Sequence, residues 1–267
     1  MAGLWLILEI EAAAIAVTVE FNGVTLSHGS FQETVRQSSK INGWALSGEN
    51  RIQVLLAKLP PLKRAAKAEP EQKSALPPRF LLRLREVAPG TPDEQDRRVL
   101  EYVWDTATQP LLGLVPVTVF EQSFPASPVA EWSWTQATPV IRVTAEDREA
   151  IAELLQRLQH QFSIKAVVGI ISVQKTQIVE QAIALGLEPQ RMLEGYEHFL
   201  KERMSSPGWK VLPFEGKTFM VISQGNGRMQ RITDAKGAPP IVTTSEQGIF
   251  TLDPYVSKIN GRWVIVR

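Results

Sequence analysis

The chain has 267 residues, 44% of them hydrophobic, enough to bury one large core or two ordinary ones. Its 29 lysines and arginines are offset by 28 aspartates and glutamates, which excludes a whole-molecule attraction to nucleic acid or to an anionic membrane. The absence of cysteine excludes disulfides, thiolate metal sites and cysteine nucleophiles, and His28, His160 and His198 are too few for a histidine-rich metal centre.

The apolar stretch Leu4 to Leu8 is followed by Glu9 and Glu11 and has no basic residue before it. A buried first strand is expected there instead of a signal peptide, and cytoplasmic residence with it. The uncharged run Ala12 to Val19 is far short of the roughly 20 residues that span a bilayer. Ile15, Val17, Val19 and Phe21 then alternate with Ala16, Thr18, Glu20 and Asn22, the period of a half-buried strand. Asn22-Gly23 tolerates positive φ at both positions and predicts a hairpin, with Val24 to Leu26 as the return strand. Another strand is expected over Arg51 to Leu56.

From Lys58 to Arg85 eight basic residues face two acidic ones, and five prolines interrupt regular structure. Residues 58–78 therefore predict a basic, proline-rich loop: a solvated connection, or a contact surface in which Lys63, Arg64, Lys67 and Lys73 meet an acidic partner. Further strands are expected over Arg79 to Val87, Val99 to Trp104, Val115 to Phe120 and Val129 to Trp134. Phe124, Trp132 and Trp134 stand out in a proline-rich stretch. On a strand the two tryptophans would share one face, either covering the core or anchoring a partner.

At Thr144 the pattern becomes helical. Thr144-Ala145-Glu146-Asp147 has capping-box spacing, and Ile151, Leu154, Leu155, Leu158 and Phe162 fall on one face. A second helix is expected from Ile164 to Leu185, stopped by Gly186, and a third from Glu188-Pro189 to Ser205. Strands and turns follow, closing with a hairpin through Asn260-Gly261. The expected fold is α+β: an N-terminal antiparallel β-sandwich, residues 1–143, then a C-terminal domain, residues 144–267, of three helices and a curled antiparallel sheet.

In its Thr144-capped helix, its Gly186-Leu187-Glu188-Pro189 junction and its ending Ile259-Asn260-Gly261-Arg262-Trp263-Val264-Ile265-Val266, the C-terminal part resembles the NTF2-like cone fold. The N-terminal part, through Phe21 to Val24 and Leu46 to Val54, is similar to galactose-binding-type sandwiches. The cone-fold resemblance implies a pocket between helices and sheet, in some members an isomerase or dehydratase site with a carboxylate base and a hydrogen-bond-donating acid pair. Tyr196 reads as a core residue, Tyr255 and Asp234 as turn residues, and His160 and His198 as solvated, so no such site is assembled. Gly225-Asn226-Gly227 precedes a strand, which makes it a hairpin turn and not a phosphate loop.

The expectation is a non-catalytic protein without cofactor or metal. A cone domain lacking catalytic residues and joined to a sandwich is similar to cytosolic immunity proteins of type VI secretion effectors. That resemblance implies a cognate toxin as partner, and the balanced charge gives no expectation of nucleic acid or membrane as partners. The alternative is an NTF2-like small-molecule binder or enzyme. Trp132, Trp134, Phe124, Lys63, Arg64, Lys67 and Lys73 are the candidate partner-binding residues.

Overall fold

The computed structural model describes residues 4–59, 77–88, 96–107, 109–110, 113–126, 130–214 and 218–267. The basic segment carrying Lys63, Arg64, Lys67 and Lys73 lies outside them. The chain divides into two units, Met1–Val129 and Ala130–Arg267. The class is α+β, with three helices and fifteen strands in four antiparallel sheets among the described residues.

The first unit turns on one alanine. Strand β1 (Trp5–Ala13) buries its even residues Leu6, Leu8, Ile10 and Ala12, whereas β2 (Ile15–Phe21) buries the odd ones, Ile15, Val17, Val19 and Phe21. Between them Ala14 takes φ 51°, which shifts the alternation by one residue as the chain passes from one sheet to the next. β3 (Val24–Phe31), β4 (Val35–Lys40), β5 (Gly48–Ala57), β6 (Arg79–Val87), β7 (Arg97–Asp105) and β8 (Val117–Ala126) complete the unit. The sheet orders are β4-β1-β6-β7 and β3-β2-β5-β8. Both sheets send their apolar faces into a single cluster that includes Phe21, Phe80 and Trp104. The Asn22-Gly23 hairpin forms with φ 52° and 74°. Asn22 also ties the sheet end together: its amide donates to Trp44 O (2.9 Å) and Asn50 Oδ1 (2.8 Å), and its Oδ1 accepts from Arg51 N–H.

In the second unit Thr144 and Asp147 form the capping box of α1 (Ala145–Ser163). α2 (Val167–Ala184) ends where Gly186 adopts φ 70° and Leu187 N–H reaches Ala182 O at 2.8 Å, the Schellman closure. α3 (Pro189–Ser205) has proline at its first turn. β9 (Lys210–Val211), β10 (Phe219–Gln224), β11 (Met229–Asp234), β12 (Ile241–Ser245), β13 (Gly248–Leu252), β14 (Tyr255–Ile259) and β15 (Arg262–Ile265) follow.

Where one curled sheet was expected, the strands fall in two, β10-β11-β14-β15 and β13-β12-β9. The chain leaves β11 through a turn from Asp234 to Ala238, and Pro239 and Pro240, which have no N–H for a ladder, lead into β12, which pairs with β9 and β13 instead. Tyr255 is no turn residue: it opens β14, and its backbone pairs with Val266 and Arg267. The helices and both sheets share one core around Leu155, Phe162, Leu200 and Trp263.

Residues 130–143, placed by the sequence reading on the sandwich side of the boundary, belong to the second unit. Thr138 N–H donates to Lys258 O (3.0 Å), Val140 N–H to Gly227 O (2.8 Å) and the Gln230 amide to Val140 O (3.0 Å). These bonds edge the segment along the β10–β11 and β14–β15 hairpins.

Candidate interaction face

The three aromatic candidates are core residues. Trp132 and Trp134 are each 2% exposed and Phe124 5%. The tryptophans are not on a strand. Trp132 precedes a 3-10 turn over Ser133–Gln136, and Trp134 lies within it, against the Gly225 turn. Trp132 carries the guanidinium of Arg267 over its ring, 5.0 Å from the centroid. Phe124 stacks on Phe21 inside the first unit, ring centroids 6.0 Å apart. With their surfaces removed from solvent, none can anchor a partner. The proline density around the two tryptophans reads as exposure in sequence, but it marks where non-strand backbone is wedged into a core.

Much of the charge on one sheet face of the first unit is paired among the described residues. On the outer face of β4-β1-β6-β7, basic and acidic strands alternate: Arg36 pairs with Glu11 (2.8 Å), Glu11 with Arg79 (2.9 Å), Arg85 with Glu9 (2.6 Å) and Arg83 with Glu101 (2.5 Å). Glu9 stands directly across from Arg83, and Glu11 from Arg36, so the pairs pin the strand register as cross-strand pairs do. Hydrogen bonding to Arg36 holds the Glu11 carboxyl below its usual range, and to Arg83 that of Glu101.

The titratable groups inside the second unit are likewise committed. Asp147 accepts from Lys258, Thr144 and the Trp263 indole. Glu180 accepts from Ser133 N–H at 2.6 Å and pairs with Arg267. The Tyr196 hydroxyl donates to buried Gln174 at 3.1 Å, and burial pushes its pKa up to about 12. Phe162 and Phe199 both pack on Phe250, at 6.1 and 5.6 Å, between the helices and the β12–β13 hairpin. Asp234 is a turn former, its carboxylate accepting from Lys236 and Ala238 N–H. His160 and His198 are exposed. No group of three or more His, Asp and Glu able to hold a metal ion occurs among the described residues.

Exposed apolar side chains occur at several places, Ile141 and Ile249 among them, and one group of them lies on and beside α2. One row of this helix, Ile170, Gln174, Ile178 and Ala182 at four-residue steps, is buried. Another row, roughly a third of a turn round the helix, is Val168, Ser172, Lys175, half-buried Val179 and Ile183. Val168 is 77% exposed and Ile183 44%, and just beyond the two helix ends Ile164 and Leu187 are 56% and 51% exposed. Only two charged residues interrupt the helix, and one of them, Glu180, is buried against Arg267. Lys175, in the middle of the exposed row, makes no ion pair among the described residues.

With Val168 and Ile183 exposed beside its buried row, α2 carries apolar surface that its own core does not use. The signal is the near absence of charge from Ala166 to Val179, against five charged residues in the first nine of α1 that leave only one face apolar. Comparison of the chain with protein-family models, with curated proteins and with solved structures finds no match. No helix among the described residues is long and apolar enough to cross a membrane.

Proposed function

We propose that the chain is a protein-binding protein without chemistry of its own, and that its partner docks on the exposed apolar row of α2. The observation that carries this reading is Val168 and Ile183, held out to solvent on a helix whose other face is fully used. Desolvating such a row is favourable, at roughly 25 cal/mol per Å² of apolar surface. Asp147, Glu180 and Tyr196, the buried or half-buried titratable groups nearest the second unit's core, are tied up in a cap, an ion pair and a core hydrogen bond.

Within this reading the chain is an immunity protein that holds a cognate toxin inactive, the role its two-part resemblance implies. A photo-crosslinking residue at Ser172 should capture one protein in the native cell, whereas the same residue at exposed Glu153 on α1 should not. Equal capture at both positions, or none, contradicts docking on α2. Cells lacking the chain should become sensitive to their own sister cells, and undiminished survival contradicts the immunity role.

A further inference from the structure

We infer that the occupant of this face is a helix of a different protein, with apolar residues flanking a single acidic side chain that pairs with Lys175. The inference rests on the docking reading above and adds the chemistry of the partner. Three observations carry it.

The first is spacing. Val168, Ser172, Lys175 and Val179 follow one another at steps of 4, 3 and 4, which lines them along one side of the helix with an apolar residue at each end and Lys175 between. From Val168 to Ile183 the row runs about 22 Å at 1.5 Å per residue, a length that four turns of a partner helix cover. The second is charge. Lys175 is the only charged residue in that row and has no carboxylate partner among the described residues. Covering the row strips water from its ammonium, which is costly unless the partner brings an acid to it.

The third observation disfavours a second copy of this chain. Lys175 lies at the midpoint of the row, so both a parallel in-register pair and an antiparallel two-fold pair of α2 helices set Lys175 against Lys175. Like charges facing in a dry seam reject that pairing, in the way single polar seam positions select partners in coiled coils.

The test uses the full chain and two labelled helical peptides of identical apolar seam, one with Glu and one with Lys at the central seam position, titrated by fluorescence anisotropy. Wild type should bind the Glu peptide about tenfold more tightly than the Lys peptide, and Lys175→Glu should invert that preference. Val168→Asp should abolish both interactions while its thermal melt stays that of wild type. Equal affinity for the two peptides overturns the acidic-partner inference yet leaves docking on α2 intact. Binding of neither peptide, or binding indifferent to Val168→Asp, overturns both. A homodimer in light scattering that Val168→Asp dissolves overturns the inference in favour of a second copy.

Discussion

Lys258 on β14 places its ammonium 2.7 Å from Asp147 in the first turn of α1, clasping two elements 111 residues apart in sequence. The Trp263 indole N–H donates to the same carboxylate oxygen at 3.1 Å, and Thr144 holds the other at 3.0 Å. The Lys258 hydrogen bond is the largest cause that draws the Asp147 pKa from 3.8 to about 2, with desolvation opposing it and the Thr144 and Trp263 bonds adding to it.

A folded-state pKa below the unfolded one gives stability that is complete above the unfolded value and is lost as pH falls through the folded one. Urea midpoints should therefore show Asp147→Asn less stable than wild type by about 2 kcal/mol at neutral pH. The gap should close as pH falls from 3.8 towards about 2. A gap independent of pH would mean that the carboxylate's charge is not what the clasp uses.

Arg267 and Glu180 form an ion pair in which both side chains are only 9% exposed. Arg267→Ala leaves a buried carboxylate without its counterion and should cost about 3 kcal/mol or more. Adding Glu180→Gln should recover part of that loss, because the uncompensated charge goes with it. Denaturant unfolding of the single and double variants measures the coupling, and strictly additive losses would contradict it.

Trp132→Ala should lower global stability by about 3 kcal/mol through the cavity it leaves. An anchor on the surface would instead leave the melting temperature unchanged. Calorimetry on the purified variant separates the two.

Asn22 meets two demands, a φ of 52° and three hydrogen bonds from one side chain. Asn22→Gly keeps the first and loses the second, whereas Asn22→Ala loses both. The ordering wild type, Gly, Ala in unfolding free energy is expected, with Ala down by about 2 kcal/mol. Equal losses for Gly and Ala would show that the backbone conformation costs nothing there.

Local chemistry was readable wherever one residue type answers one backbone need. Asn22-Gly23 and Asn260-Gly261 turned where expected, Thr144 capped α1 through Asp147, and Gly186 closed α2. Unreadable were the features decided by distant packing. Ala14 turns the chain between sheets without any glycine to mark it. Trp132 and Trp134 alternate as on a strand, yet Glu180 on α2 and Arg267 after β15 hold that segment in place through Ser133 and the Trp132 ring. The candidate face was hidden for a similar reason. An apolar residue in a helix reads as core until neighbouring elements are in place, and only then does Val168 stand out as uncovered.

The most direct test of docking on α2 is the mass, by size exclusion with light scattering, of the chain recovered from its native cell as wild type and as Val168→Asp. Because Val168 is exposed, its substitution should leave stability within about 0.5 kcal/mol of wild type. A buried charge in the seam should weaken the complex about a hundredfold. The expected result is wild type eluting with one stoichiometric protein partner and Val168→Asp eluting alone. A complex of the same mass and yield from both chains would contradict the account.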